Sequence, residues 1–175
     1  KKDVILDKKF FKIYKKFSPG PITYIVKKKN NSKIKPLACA NLKTVGIRFP
    51  RNKIIRKLLK KLEFPLAMPS ANKSSGVSPV KPMDVSEEFN NKIKVIDGGI
   101  SRIGIESTVL NLVGKVCILR PGIITPNQIK NVLKTKLKIL TKQTIIKSPG
   151  SLKKHYSPGL PIYINKNKCP NKYAF

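Results

Sequence analysis

Ser107-Thr-Val-Leu-Asn-Leu-Val-Gly-Lys-Val-Cys-Ile-Leu-Arg120 decides how this chain folds. Ser107 to Val113 reads as a strand, Gly114-Lys115 as a tight turn, and Val116 to Leu119 as a strand returning beside the first. A hairpin is antiparallel, so any sheet that contains it is not wholly parallel. Arg120-Pro121-Gly122 closes the pair. Beyond it, Thr125 caps a helix running to Leu133 with Pro126 in the first helical position, and Leu137 to Leu140 reads as an edge strand.

Upstream, apolar residues at near-helical spacing, Leu6, Phe10, Phe11, Ile13, Tyr14 and Phe17, give a helix over Asp7 to Lys16. Ser18-Pro-Gly-Pro21 stops it. Ile22 to Val26 is a β-rich run, and Lys27 to Lys35 a polar loop. Thr44 to Phe49 is a second strand, closed by Pro50. Asn52 caps a helix whose apolar stripe is Ile54, Ile55, Leu58, Leu59 and Leu62. Pro65 to Met68 is expected to be a short buried strand, Met83 to Phe89 a short helix, and Ile93 to Ile96 another strand ending at Asp97-Gly-Gly99. The fold class is therefore α/β, a mixed sheet flanked by helices.

The chain has 175 residues, of which 40% are hydrophobic, enough for one core. No apolar run reaches the ~20 residues of a membrane span. The first residues lack a signal-peptide pattern and an initiating Met, so the chain is expected to begin partway into a longer protein. Cys39, Cys117 and Cys169 are far apart and show no zinc spacing, which suits a reducing cytoplasm. The net charge of +30 would attract RNA, DNA or anionic lipid. Yet only five basic residues are arginines, and lysine spread this evenly is weak support for a nucleic-acid partner. The same scarcity makes Arg48 and Arg120 informative.

Familiar catalytic constellations are missing. The single His155 sits among Ser, Pro and Gly, there is no carboxylate cluster, and neither GxxxxGK[ST] nor GxGxxG occurs. Basic and hydroxyl groups at strand ends remain. Thr44 and Arg48 are four residues apart and share a strand face, with Arg48 at the carboxyl end, where open α/β sheets take ligands. Arg120 also ends a strand. Glu106-Ser107-Thr108 enters the hairpin. Pro69-Ser-Ala-Asn-Lys-Ser-Ser-Gly-Val-Ser-Pro79 is a loop of small hydroxyl and amide residues able to cradle phosphate, though an ordinary exposed turn has the same composition. Each residue alone has a plain structural reading: a surface arginine, a β-favouring Thr, a surface carboxylate. Together they suit a site that binds and positions, as in phosphoryl or nucleotidyl transfer.

Five segments then carry a resemblance: Ser18-Pro-Gly-Pro-Ile-Thr, Val45-Gly-Ile-Arg-Phe-Pro, the Pro69 to Pro79 loop, Ile105-Glu-Ser-Thr-Val and Leu119-Arg-Pro-Gly-Ile-Ile-Thr. In this order they resemble the YrdC-like threonylcarbamoyl-AMP synthases of the longer, two-domain type. Ser148-Pro-Gly-Ser-Leu-Lys-Lys-His-Tyr-Ser-Pro looks like the linker of that type. The resemblance implies a YrdC-like twisted mixed sheet over residues 1–142 without its N-terminal part, an extended linker over 143–160, and the start of a Rossmann-like second domain over 161–175. It implies a nucleotidyltransferase that makes threonylcarbamoyl-AMP and pyrophosphate from L-threonine, bicarbonate or CO2, and ATP with Mg2+. The product serves tRNA threonylcarbamoyladenosine modification, so the partners would include tRNA or the transfer machinery, in the cytoplasm and with no membrane. By the same resemblance Thr44, Ser70, Asn72, Ser78 and Arg120 would hold ATP, and Arg48 and Ser107 threonine. His155 and Tyr156 of the linker would lie near the nucleotide, and Glu106 would support the site. No side chain acts as nucleophile or general base, and none is a metal ligand.

The family's upstream basic Lys-x-Arg segment and most of its second domain are absent. Little turnover is therefore expected of the 175 residues alone. Three other readings stand beside this one: a YrdC-type carbamoyltransferase, a double-stranded RNA or tRNA-binding module without catalysis, and a regulatory ATP-binding domain.

Overall fold

The computed structural model describes residues 2–73, 76–135 and 137–139. The elements run α1 (Lys8–Phe17), β1 (Ile22–Lys27), a 3-10 turn (Pro36–Cys39), β2 (Thr44–Arg48), α2 (Lys53–Lys61), α3 (Pro82–Glu88), β3 (Thr108–Asn111), β4 (Cys117–Arg120), α4 (Pro126–Leu133) and β5 (Lys138–Ile139). The strands form one sheet in the order β2-β1-β3-β4-β5. β1 is antiparallel to β2 and parallel to β3; β3 and β4 form the antiparallel hairpin, and β5 lies parallel to β4 at the edge. The sheet is mixed, as the hairpin required.

Local chemistry explains most boundaries. Asp7 caps α1 by accepting a hydrogen bond from Phe10 N at 2.8 Å, and Pro19 prevents the helix from continuing. Asn52 accepts from Ile54 N and Ile55 N to start α2. Thr125 and Gln128 form a capping box on α4, behind Pro126. Gly114 takes a φ of 66° in the hairpin turn, a conformation glycine adopts without cost.

The main core lies on one face of the sheet. Phe10 and Ile13 of α1 and Ile129 of α4 pack on Ile22, Tyr24 and Val26 of β1, Leu110 of β3 and Ile118 of β4. Each of these buried side chains contributes ~1.5–3 kcal/mol of apolar transfer. The opposite face carries a smaller buried cluster of Ile25, Val109, Cys117 and Leu119. Strand alternation accounts for the split, since Ile25 points away from its neighbours Tyr24 and Val26.

Two expected strands do not form. Residues 65–68 and 93–96 have no ladder, with Met68 64% and Ile96 71% exposed. An apolar run becomes a strand only beside a partner edge, and Pro65 and Pro69 offer no N–H to one. The strand expected over Ser107 to Val113 is confined to Thr108–Asn111, so Ser107 precedes the ladder. α2 and α3 bury no residue. The expected linker and second-domain start lie outside the described residues, as do Ser74, Ser75, His155 and Tyr156. Among the described residues no helix is long and apolar enough to cross a membrane.

Candidate functional site

The site is built on the face of the sheet opposite α1 and α4. Thr23 of β1 stands directly across from Arg48 of β2 in the antiparallel ladder, so the two side chains share a face. Thr44 and Gly46 alternate with Val45 and Ile47, which pack toward the main core; Thr44, Gly46 and Arg48 therefore line this face. A Cβ on Gly46 would lie 3.3 Å from Thr23 Cγ2 and 3.3 Å from Ile25 Cδ1. The glycine thus leaves a notch between Thr44 and Arg48.

A bulge in the hairpin delivers Arg120. Leu110 pairs with Ile118, but Val109 pairs with Arg120, so Leu119 is the extra residue. Arg120 donates from Nε and Nη2 to Ser107 O at 3.1 and 2.9 Å, and from Nη2 to Ser107 Oγ at 3.0 Å. Its Nη2 also lies 3.4 Å from Glu106 Oε2. Glu106 Oε1 accepts from Ser78 Oγ at 2.7 Å, which ties the polar loop to the hairpin. At the other end Ser107 Oγ is 2.8 Å from Thr23 Oγ1. A continuous polar chain therefore runs Ser78, Glu106, Arg120, Ser107, Thr23, with Arg48 beside its end.

Glycine makes this packing possible. A Cβ at Gly122 would come within 2.5 Å of Thr108 N and 2.6 Å of Glu106 O. The Arg120-Pro121-Gly122 turn therefore lies directly on the backbone that presents Glu106 and Ser107. Thr108 is fully buried there and donates from Oγ1 to Ile124 O.

The electrostatics are those of a cationic cluster moderated by one carboxylate. Arg48 is exposed overall, yet the protein around its guanidinium displaces enough water to lower its pKa. Attraction to Glu106 works against that shift and repulsion from Arg120 adds to it. A guanidinium so placed still carries its charge at neutral pH. Two arginines held near one carboxylate leave net positive charge for an anion.

Of the residues singled out from sequence, Arg48, Ser78, Ser107 and Arg120 come together, with Glu106 joining them. Thr44 lines the same strand face as Arg48 without a contact to the chain of polar groups. Asn72 is spent within its loop, donating to Lys73 O and Gly76 O, while its buried Oδ1 has no hydrogen-bond partner. Ser70 is exposed beside it on the same loop. Sequence reasoning missed Thr23, although it closes the Ser18-Pro-Gly-Pro-Ile-Thr segment. A depression of about 390 Å³ lined by Lys130, Asn131, Lys134 and Thr135, at the end of α4, includes none of these residues. No group of three His, Cys, Asp or Glu gathers among the described residues.

Arginines, hydroxyls and a buttressing carboxylate thus gather on one face of an α/β sheet. Known proteins share the sequence and fold of this chain. The Sua5_yciO_yrdC family model, described as telomere recombination, matches residues 1–122, and a model of the threonylcarbamoyl-AMP synthase C-terminal domain matches residues 124–174. The chain belongs to the Sua5/YciO/YrdC family. It is 36% identical over 157 residues to a threonylcarbamoyl-AMP synthase of Pyrococcus abyssi, covering 86% of this chain and 45% of that protein. It is 33% identical over 176 residues to that of Schizosaccharomyces pombe, covering 93% and 43%. The crystal structure of P. abyssi Sua5 complexed with L-threonine matches with a TM-score of 0.80 and 33% identity, covering 87% of this chain and 46% of that one. The chain thus spans a little under half the length of these relatives.

Proposed function

We propose that this protein is the sheet-and-loop part of an L-threonylcarbamoyladenylate synthase, a cytoplasmic nucleotidyltransferase serving tRNA modification. The observation that carries the reading is the unbroken polar chain from Ser78 in the loop to Ser107 and Thr23 beside Arg48, in a chain similar to a relative solved with L-threonine. One end of that chain suits phosphates and the other a carboxylate.

The chemistry needs two substrates side by side. The neutral threonine amine captures CO2 as a carbamate, and the proton it loses passes to solvent water. A carbamate oxygen attacks the α-phosphorus of ATP, the bond to the β-phosphate bridging oxygen breaks, and pyrophosphate leaves. Arg48 would take the threonine carboxylate, with Ser107 holding the amino acid beside it. Arg120, Ser78, Thr44, Ser70 and Asn72 would hold the nucleotide. None of them exchanges a proton in this scheme; positioning and charge neutralisation lower the barrier. Glu106 keeps Arg120 and the loop in register. Mg2+ would arrive on the triphosphate as part of the substrate, since the described carboxylates form no cluster to hold it and Glu106 is engaged by Ser78 and Arg120.

Residues 143–160, with His155 and Tyr156, would link residues 1–142 to a second domain starting at 161. The labile product would pass to the tRNA-modifying machinery. Isothermal titration of the purified chain with L-threonine tests the reading. Heat on threonine addition, enhanced by ATP and bicarbonate, is expected. An RNA-binding module or a pure nucleotide sensor gives none, and that result would overturn the assignment.

A further inference from the structure

We propose that Thr23 is the specificity-determining residue of the amino-acid end of the site, reading the side-chain hydroxyl of the ligand. The inference rests on the reading of this site as a threonine site and goes beyond it to the residue that makes the choice.

Thr23 lies opposite Arg48 in the ladder, with its methyl against the notch left by Gly46. An amino acid held between Arg48 and Ser107 would lie over Thr23, its carboxylate at Arg48 and its β-substituent on the Ser107 side, where Thr23 Oγ1 points, away from the notch that the methyl faces. Directly opposed side chains in an antiparallel pair have Cβ atoms about 5 Å apart, so one small ligand can touch both.

The direction of the hydrogen bonds decides what Thr23 offers. Arg120 Nη2 donates into Ser107 Oγ at 3.0 Å, and Ser107 Oγ lies 2.8 Å from Thr23 Oγ1. A hydroxyl that accepts from a cation becomes a stronger donor. Ser107 is thereby favoured as the donor to Thr23, an arrangement that would leave the Thr23 proton pointing onward. Ser107 is 3% exposed, whereas Thr23 is half-buried. Thr23 is thus the accessible end of a relay that starts on a guanidinium.

A ligand hydroxyl accepts from that end. Valine, the same shape with a methyl in place of the hydroxyl, leaves the Thr23 donor covered and unpaired. A site built to bond a hydroxyl rejects the analogue that lacks it more strongly than an apolar pocket rejects an added group. In this half-open setting we expect a preference of about tenfold or more for L-threonine over L-valine.

Saturation-transfer NMR titrations of the intact chain with L-threonine and L-valine test this, using wild type, Thr23→Val and Thr23→Ser. The expected result is a wild-type preference near tenfold, collapse toward equal affinity in Thr23→Val with valine binding retained, and recovery in Thr23→Ser. A Thr23→Val protein that keeps the preference overturns the proposal and leaves the threonine-site reading intact. One that loses valine along with threonine marks Thr23 as a packing residue and also overturns it. A wild-type chain that binds neither amino acid sinks the threonine-site reading, and the proposal with it.

Discussion

Arg120 lies opposite Val109 in the hairpin ladder, one residue out of step with the pairing of Leu110 and Ile118. Strict alternation from Ile118, which is fully buried in the main core, would turn residue 120 toward α1 and α4. The extra residue, Leu119, instead brings the guanidinium to the face of Ser107 and Glu106. The bulge makes a site residue out of what would be a buried arginine.

Replacing Arg120 should therefore damage both ends of the site. Arg120→Ala removes two donors from Ser107 O and one from Ser107 Oγ. Hydrogen bonds from a charged donor are worth ~1.5–3 kcal/mol. Titration should show ATP and L-threonine both weakened, by about tenfold or more. Arg120→Lys should recover little, because a single ammonium cannot reproduce the fork on Ser107. Full recovery by lysine would mean that charge alone matters.

Arg48→Ala should behave differently. Arg48 adjoins only the amino-acid end of the polar chain, so threonine binding should fall about ten- to a hundredfold and ATP binding much less. Its pKa is lowered, chiefly by burial, but from the very high value of a guanidinium, so its charge and its share of the binding should be constant between pH 6 and 8. Equal losses for the two ligands would show that the residue is misassigned.

How far could the sequence be read? Helices with stripes were legible, although Asp7, read as the first helical residue, is instead the cap of α1; legible too were the caps Asn52 and Thr125, which act within their own few residues. So was the hairpin, because Gly114 sets it locally. The bulge was not, since alternation within Val116 to Leu119 does not count the residues on the facing strand. Thr23 was hidden for a similar reason: a threonine in a β-rich run needs no function to explain it. Its meaning comes from Arg48 and Ser107, far away in the chain. The runs at Pro65 to Met68 and Ile93 to Ile96 misled because apolar composition signals burial without naming the surface that buries it.

Gly122→Ala tests the packing under the site. The added methyl would meet backbone at Glu106 and Thr108 within 2.6 Å. Backbone cannot swing aside as a side-chain tip can, so overpacking should cost ~1–3 kcal/mol. Urea denaturation should read that loss. Threonine binding should fall as well, because relief of the clash displaces Ser107. Unchanged stability would show that the turn relaxes freely.

Tyr24 supplies a pH test of the core. Burial pushes its phenol up to about 12 from 10.0; the Ser18 hydrogen bond at 2.7 Å acts the other way, and Tyr14 adds slightly to the rise. A group whose pKa is raised on folding contributes its stability fully below the unfolded value. That contribution is lost as pH climbs from about 10 through about 12. Tyr24→Phe should cost about 1 kcal/mol at pH 8 for the lost hydrogen bond. It should also show a shallower fall in stability than wild type between pH 10 and 12. Parallel alkaline limbs for the two proteins would place the ionisation elsewhere.

Surface apolarity gives the last test. Phe64, Met68, Met83, Ile96, Ile100 and Ile105 are each 60% or more exposed, all within the segment between β2 and β3. Single exposed apolar residues are ordinary, but this many in one segment leave apolar surface for self-association. The net charge of +30 opposes self-association through repulsion, and salt screens that repulsion within about 8 Å at physiological strength. The purified chain should therefore enhance the fluorescence of an anilinonaphthalene dye and show a sedimentation coefficient that rises with salt and protein concentration. The double substitution Ile96→Lys with Ile100→Lys should reduce both effects with little change in unfolding midpoint, because neither side chain is buried. A monomer at all salt concentrations, without dye binding, would show that these side chains are covered within the chain itself.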